Sequence, residues 1–163
     1  MLKTFISNVK LIFGEICGKQ RPVPLLSQFV YDGINISVAL DEALLNFKNI
    51  KFALVQTCLN DLIIYVDQLY MNADEDTRIF ILAHEIGHFK CGHFEGKQLT
   101  QWNAFLRPFK AKFQQVDQKE LDADTYAVNN IGIEKSIHGL EYIVTQLPKN
   151  TELIKRLDVL KSM

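Results

Sequence analysis

No stretch of this 163-residue chain approaches the roughly 20 consecutive apolar residues that a bilayer-spanning helix needs, so no transmembrane segment is expected. Cysteine is scarce and unpatterned. Cys17, Cys58 and Cys91 are an odd number without Cys-x-x-Cys spacing, which argues against a disulfide framework or a thiolate zinc site and for reduced thiols in a cytoplasmic protein. An excess of one charge is also missing: 18 Lys and Arg stand against 19 Asp and Glu, a formal net charge of -1. That balance gives no reason to expect nucleic acid or an anionic membrane as the main partner. The opening residues, interrupted by Lys3, Lys10 and Glu15 and followed by no small-residue cleavage site, make a poor signal peptide. No internal repeat or low-complexity tract is visible.

What is present suits one globular domain over residues 1–163, with 48% hydrophobic and 23% charged residues and enough length to bury a core without staples. Leu2, Phe5, Ile6, Val9, Ile12, Phe13 and Ile16 recur at helical spacing and predict an amphipathic helix over 1–18, which packs on the domain's own core or docks on a membrane surface or partner. Residues 19–24, with two prolines, read as a connector. A second helix is expected over 36–47, with Ile36, Leu40, Ala43, Leu44 and Phe47 on its buried side. Strands are expected over 51–57 and 61–70, separated by turn chemistry at Leu59-Asn60-Asp61.

Near the middle stands Ile81-Leu82-Ala83-His84-Glu85-Ile86-Gly87-His88-Phe89, which contains a His-Glu-x-x-His motif. On a helix, the spacing of four stacks His84 and His88 on one face, where both imidazoles reach one metal ion. Glu85 lies beside that metal. It suits the general base that deprotonates a zinc-bound water, not a third ligand. The flanks agree with a helix: Asn72 offers a cap with Glu75 three residues later, Asp74 and Asp76 complement the helix dipole, and Ile79, Phe80, Leu82, Ala83 and Ile86 form an apolar stripe. Gly87 costs roughly 1 kcal/mol in a helix interior, which makes sense where another backbone passes close by.

A catalytic zinc needs a third protein ligand and an open position. Glu120, in Gln118-Lys119-Glu120-Leu121-Asp122-Ala123-Asp124, is the candidate. On a second helix over 117–130, ended by Gly132, Glu120 and Asp124 share a face, so Asp124 can hold the far nitrogen of a ligand histidine. Asp122, Lys119 and Thr125 then point away. Two further helices are expected over 134–147 and 151–160, the latter capped by Thr151. Between the two ligand helices, an insert over 97–118 carries Trp102, Phe105, Phe109 and Phe113, interrupted by Pro108. This stripe reads as core, with a hydrophobic rim of the cleft as the rival.

His-Glu-x-x-His followed by Glu-x-x-x-Asp resembles the gluzincin class of zinc peptidases. More narrowly, Glu120 to Ala127, then Asn130-Ile131-Gly132 and the tail from Thr151 to Leu157, resemble the HtpX-like prenyl-protease family. The segment from His84 to His93 is similar both to that family and to the ImmA/IrrE-like peptidases. The resemblance covers about the second half of the chain, from near Tyr70. It implies an α+β, zincin-like metallopeptidase domain in which a small antiparallel or mixed sheet packs against the metal-binding helix, with an edge strand that pairs with extended substrate. It also implies a Zn2+ cofactor and a peptide or protein substrate. Many HtpX-like proteins are integral to the membrane, whereas here the connection between His88 and Glu120 holds Lys90, Glu95, Lys97, Arg107, Lys110 and Lys112, which implies a soluble version of that family or a different branch.

His93 is the rival third ligand, but it lies five residues after His88 where the metzincin extension has six, and Cys91 stands where that extension has its glycine. His138 and Tyr126 are candidate oxyanion donors. The expected activity is zinc-dependent peptide hydrolysis. The alternatives are an ImmA/IrrE-like regulatory peptidase that cuts one partner, and a zinc-binding interaction domain that cuts nothing.

Overall fold

The computed structural model describes residues 11–16, 19–58, 61–93 and 117–163. They form two compact units, 1–72 and 73–163. The first contains β1 (Leu11–Ile16), β2 (Lys19–Tyr31), β3 (Ile34–Leu40), α1 (Glu42–Lys48), β4 (Ala53–Cys58), β5 (Asp61–Val66) and α2 (Gln68–Asn72). The second contains α3 (Glu75–Lys90), α4 (Gln118–Ile131), α5 (Ile133–Gln146) and α6 (Thr151–Ser162). The protein is thus α+β. Among the described residues no helix is long and apolar enough to cross a membrane.

The sheet has the order β1-β2-β3-β5-β4. Only β3 and β5 are parallel, so the sheet is mixed. Its central hairpin is specified by Asp32-Gly33. Both residues have positive φ, 51° and 75°, and they connect the Tyr31↔Ile34 pair as a two-residue turn whose twist matches that of the strands. This turn corrects two sequence expectations: the connector at 19–24 belongs to β2, and the first half of the 36–47 helix is β3. Ile36 and Val38 are buried on alternate positions, a period-two pattern that the helical reading missed. Helix α1 begins only at Asp41, whose carboxylate accepts from Leu44 N at 2.7 Å. Leu44 and Leu45 then pack with Val23, Ala39 and Tyr65 into this unit's core. Residues 11–16 of the expected 1–18 helix form β1 instead, and residues 1–10 and 17–18 lie outside the described residues.

Strand β5 stops at Val66, four residues before the expected 61–70 strand ends, because Asp67 redirects the chain. Its buried carboxylate accepts from Phe52 N at 3.0 Å and Tyr70 N at 3.1 Å, which ties the entry of β4 to the first turn of α2. The expected strand over 51–57 corresponds to β4.

In the second unit, α3 is capped by Asp74 and not by Asn72: the Asp74 carboxylate accepts from Thr77 N at 2.9 Å and from Thr77 Oγ1 at 3.0 Å. Gly87 is the crossing point of α3 and α4. A Cβ there would come within 2.9 Å of the Ala123 carbonyl oxygen and 3.0 Å of its Cα, so a passing backbone does explain the small residue. Gly139 of α5 accepts Phe80 of α3 in the same way, its absent Cβ falling 2.6 Å from Phe80 Cβ. Helix α4 is capped by Asp117 and ends at Gly132, whose φ is 90°. Helix α6 is capped by Asn150, not Thr151, through bonds to Glu152 N and Leu153 N. The aromatic stripe from Trp102 to Phe113 lies outside the described residues.

Candidate metal centre

The close crossing at Gly87 and Ala123 decides what α3 and α4 can bring together. His84 and His88, one turn apart, turn their Nε2 atoms toward each other at 3.0 Å. Helix α4 supplies Glu120, whose Oε2 is 3.3 Å from His84 Nε2 and whose Oε1 is 3.4 Å from His88 Nε2. The three residues offer donor atoms that all lie within 4.8 Å of one another. Ligand atoms about 2.0–2.1 Å from a tetrahedral zinc lie about 3.3 Å apart, and each imidazole Nε2 meets one of the two Glu120 oxygens at close to that separation. Two imidazoles and one carboxylate are also a donor set suited to zinc, with the fourth position left to solvent or substrate.

The metal-facing atoms are held from behind. Asp124, fully buried on α4, lies with Oδ1 2.8 Å from His84 Nδ1. Arg156 of α6 is the residue that sequence reasoning missed. Its Nε and Nη2 donate to the two Asp124 oxygens at 2.8 and 2.7 Å, and its Nη1 donates to Glu120 Oε2 at 2.7 Å. One guanidinium thereby fixes the Glu120 carboxylate relative to the support of His84. A signal existed: Leu153, Arg156, Leu157 and Leu160 all sit on the buried face of α6, and an arginine in an apolar stripe requires a buried carboxylate partner.

The electrostatics fit a cluster built around positive charge. Burial opposes a charge on His84, but the bonds to Asp124 and Glu120 outweigh it and hold the imidazole up at about 9. Burial, then the neighbouring His84 charge, push His88 down to about 4. Burial alone would raise Glu120, yet the bond to His84, the His84 charge and Arg156 bring it down to about 2. The buried Asp124 is likewise held below the ordinary carboxylate range by its bonds to His84 and Arg156.

Glu85 follows His84 on α3 and is partly buried. Tyr126 packs its Cβ beside Gly87, at the turn that separates the two histidines. His138 is not brought to the cluster. It is exposed, its Nε2 lies 3.1 Å from Asp74 Oδ2 at the start of α3, and ten residues of helix, about 15 Å, separate Asp74 from His84. Lys119 and Thr125 are exposed, and Asp122 does not join the three donors; its side chain is 44% exposed, with Oδ2 3.6 Å from His93 Nε2. His93 itself lies behind His88, with the two Nδ1 atoms 2.7 Å apart.

Comparison with known proteins agrees with this geometry. The model of peptidase family M48 matches residues 52–151, which include α3, His84, His88, Glu120 and Asp124 and leave Arg156 beyond the match. Neither a curated protein nor a solved structure matches the chain. The match spans well over half of the sequence, and the chain belongs to peptidase family M48, the HtpX-like zinc metallopeptidases.

Proposed function

We propose that this protein is a zinc-dependent endopeptidase of zincin-like fold in which His84, His88 and Glu120 hold the metal and Glu85 is the general base. The observation that carries the reading is the convergence of those three donors within 4.8 Å. Bound zinc supplies a Lewis acid that acidifies a water and polarises the scissile carbonyl. Glu85 accepts the proton of the attacking water and delivers it to the leaving amine. Asp124 keeps the His84 ring oriented and its Nε2 lone pair directed at the cation. Arg156 offsets one of the two carboxylates, so that Glu120, Asp124 and Arg156 together contribute a single negative charge against the two positive charges of the ion. The residual positive charge favours an oxyanion developing at the carbonyl. Tyr126 is the remaining candidate oxyanion donor. The substrates of this family are proteins or peptides.

The test compares zinc-loaded wild type with Glu85→Gln on an unstructured protein substrate, with fragments read by mass spectrometry. Glu85→Gln retains the metal and loses about 100-fold to 10,000-fold in turnover, the usual worth of a general base. Undiminished cleavage by Glu85→Gln would remove Glu85 from the mechanism. A wild type that loads zinc yet cleaves nothing would favour the non-catalytic binding domain.

A further inference from the structure

The Nε2 atom of His88 faces His84 and Glu120, so its second ring nitrogen points out of the cluster, where His93 Nδ1 lies 2.7 Å away. Local backbone geometry produces this contact. Helix α3 ends at Cys91, Gly92 takes a φ of 70°, and His93 N donates to His88 O at 3.1 Å, which folds His93 back over His88. The His93 side chain is only 9% exposed, and its Nε2 lies 3.6 Å from Asp122 Oδ2 on α4.

We infer that His93, oriented by Asp122, is a positioning residue that fixes the tautomer and ring angle of His88; this rests on the metal reading above. A nitrogen-to-nitrogen contact of 2.7 Å must share one proton. If the proton belongs to His88 Nδ1, the His88 Nε2 lone pair is directed at His84 and Glu120, as a ligand requires. His93 then accepts on Nδ1 and carries its own proton on Nε2, facing the Asp122 carboxylate. The opposite assignment places a proton on His88 Nε2, between the donor atoms, and turns the bare Nε2 of His93 toward a negative charge. Asp122 disfavours that state. His93 is therefore not a third ligand: one of its nitrogens meets His88 and the other faces Asp122. It completes a pattern in which Asp124 backs His84, Arg156 backs Glu120 and His93 backs His88.

The test measures zinc affinity by competition with a chromophoric chelator in the full chain, for wild type, His93→Phe, His93→Gln and Asp122→Asn, with folding checked by circular dichroism. NMR of the histidine ring nitrogens in the zinc-loaded protein reads the His88 tautomer. Phenylalanine keeps a ring but accepts no hydrogen bond, and should weaken zinc about 10-fold to 100-fold. Glutamine restores an acceptor and should recover most of that loss, while Asp122→Asn gives a smaller loss. Wild type should show a protected proton on His88 Nδ1. Wild-type affinity in His93→Phe, an equal loss in His93→Gln, or a His88 proton on Nε2 would each overturn the inference. So would a changed visible spectrum of cobalt-loaded His93→Gln, which would make His93 a ligand. Wild type that binds no zinc would overturn the metal reading and this inference together, whereas zinc-binding wild type with an indifferent His93 would overturn the inference alone. Should His93→Phe fail to fold, the wild-type tautomer and His93→Gln still decide.

Discussion

Replacing Arg156 with methionine keeps much of the side-chain bulk and deletes the guanidinium that joins Glu120 to Asp124. Two of its hydrogen bonds go to Asp124, a carboxylate with 0% exposure that water cannot reach without a change in packing. Another goes to Glu120, whose side chain is 30% exposed and can be partly rehydrated, so its loss costs less. Charge-assisted bonds contribute about 1.5–3 kcal/mol each, but removing one partner of a buried ion pair costs about 3–5 kcal/mol in all, and that range applies here. Domains are typically stable by about 5–15 kcal/mol, so Arg156→Met should remove a large share of the stability. The assay is chemical denaturation of metal-free protein followed by far-UV circular dichroism. Arg156→Lys should fall between the two, because an ammonium keeps the charge without the fork that reaches both carboxylates. A cost below about 1 kcal/mol for Arg156→Met would refute the assignment of Arg156 as the brace of this site.

Other perturbations read other parts of the same unit. Gly87→Ala gains helix propensity but sets a Cβ 2.9 Å from the Ala123 carbonyl, so α4 must shift; thermal melting should show a net loss of about 1–3 kcal/mol, and an unchanged melting temperature would contradict the close crossing. Asp74→Ala should cost about 1 kcal/mol near neutral pH through the lost cap. Because the Thr77 amide foremost, together with His138, holds Asp74 below its ordinary 3.8, the folded value lies under the unfolded one. The cap's contribution is present above 3.8 and fades as pH falls through the folded value, so denaturation curves of wild type and Asp74→Ala should converge in acid. Zinc at a thousandfold excess over its dissociation constant should stabilise wild type by about 4 kcal/mol, and His84→Ala far less, as read from melting with and without metal.

The second unit was far more legible in the sequence than the first. Helices α3, α4 and α6 carry side-chain caps, α4 ends at Gly132, and the ligand spacing that defines the site is itself a helical spacing. His84, His88, Glu120 and Asp124 could therefore be placed by counting along two helices. Arg156, and the contact of His93 with Asp122, could not, because they depend on where α6 and the turn after α3 return in space. In the first unit, Ile36, Leu40, Leu44 and Phe47 satisfy a helical period by coincidence across a strand and a helix. The break lies at Asp41, a cap whose role shows only when its carboxylate meets Leu44 N. The Asp32-Gly33 pair was the available clue to the hairpin and outweighs that periodicity.

The most direct test of the central claim is zinc stoichiometry by elemental analysis of purified wild type beside Glu120→Ala. The geometry predicts one zinc per chain in wild type and a much weakened content in Glu120→Ala, because the three donors act on one ion. Wild-type protein that neither contains zinc nor takes it up when supplied would contradict the account.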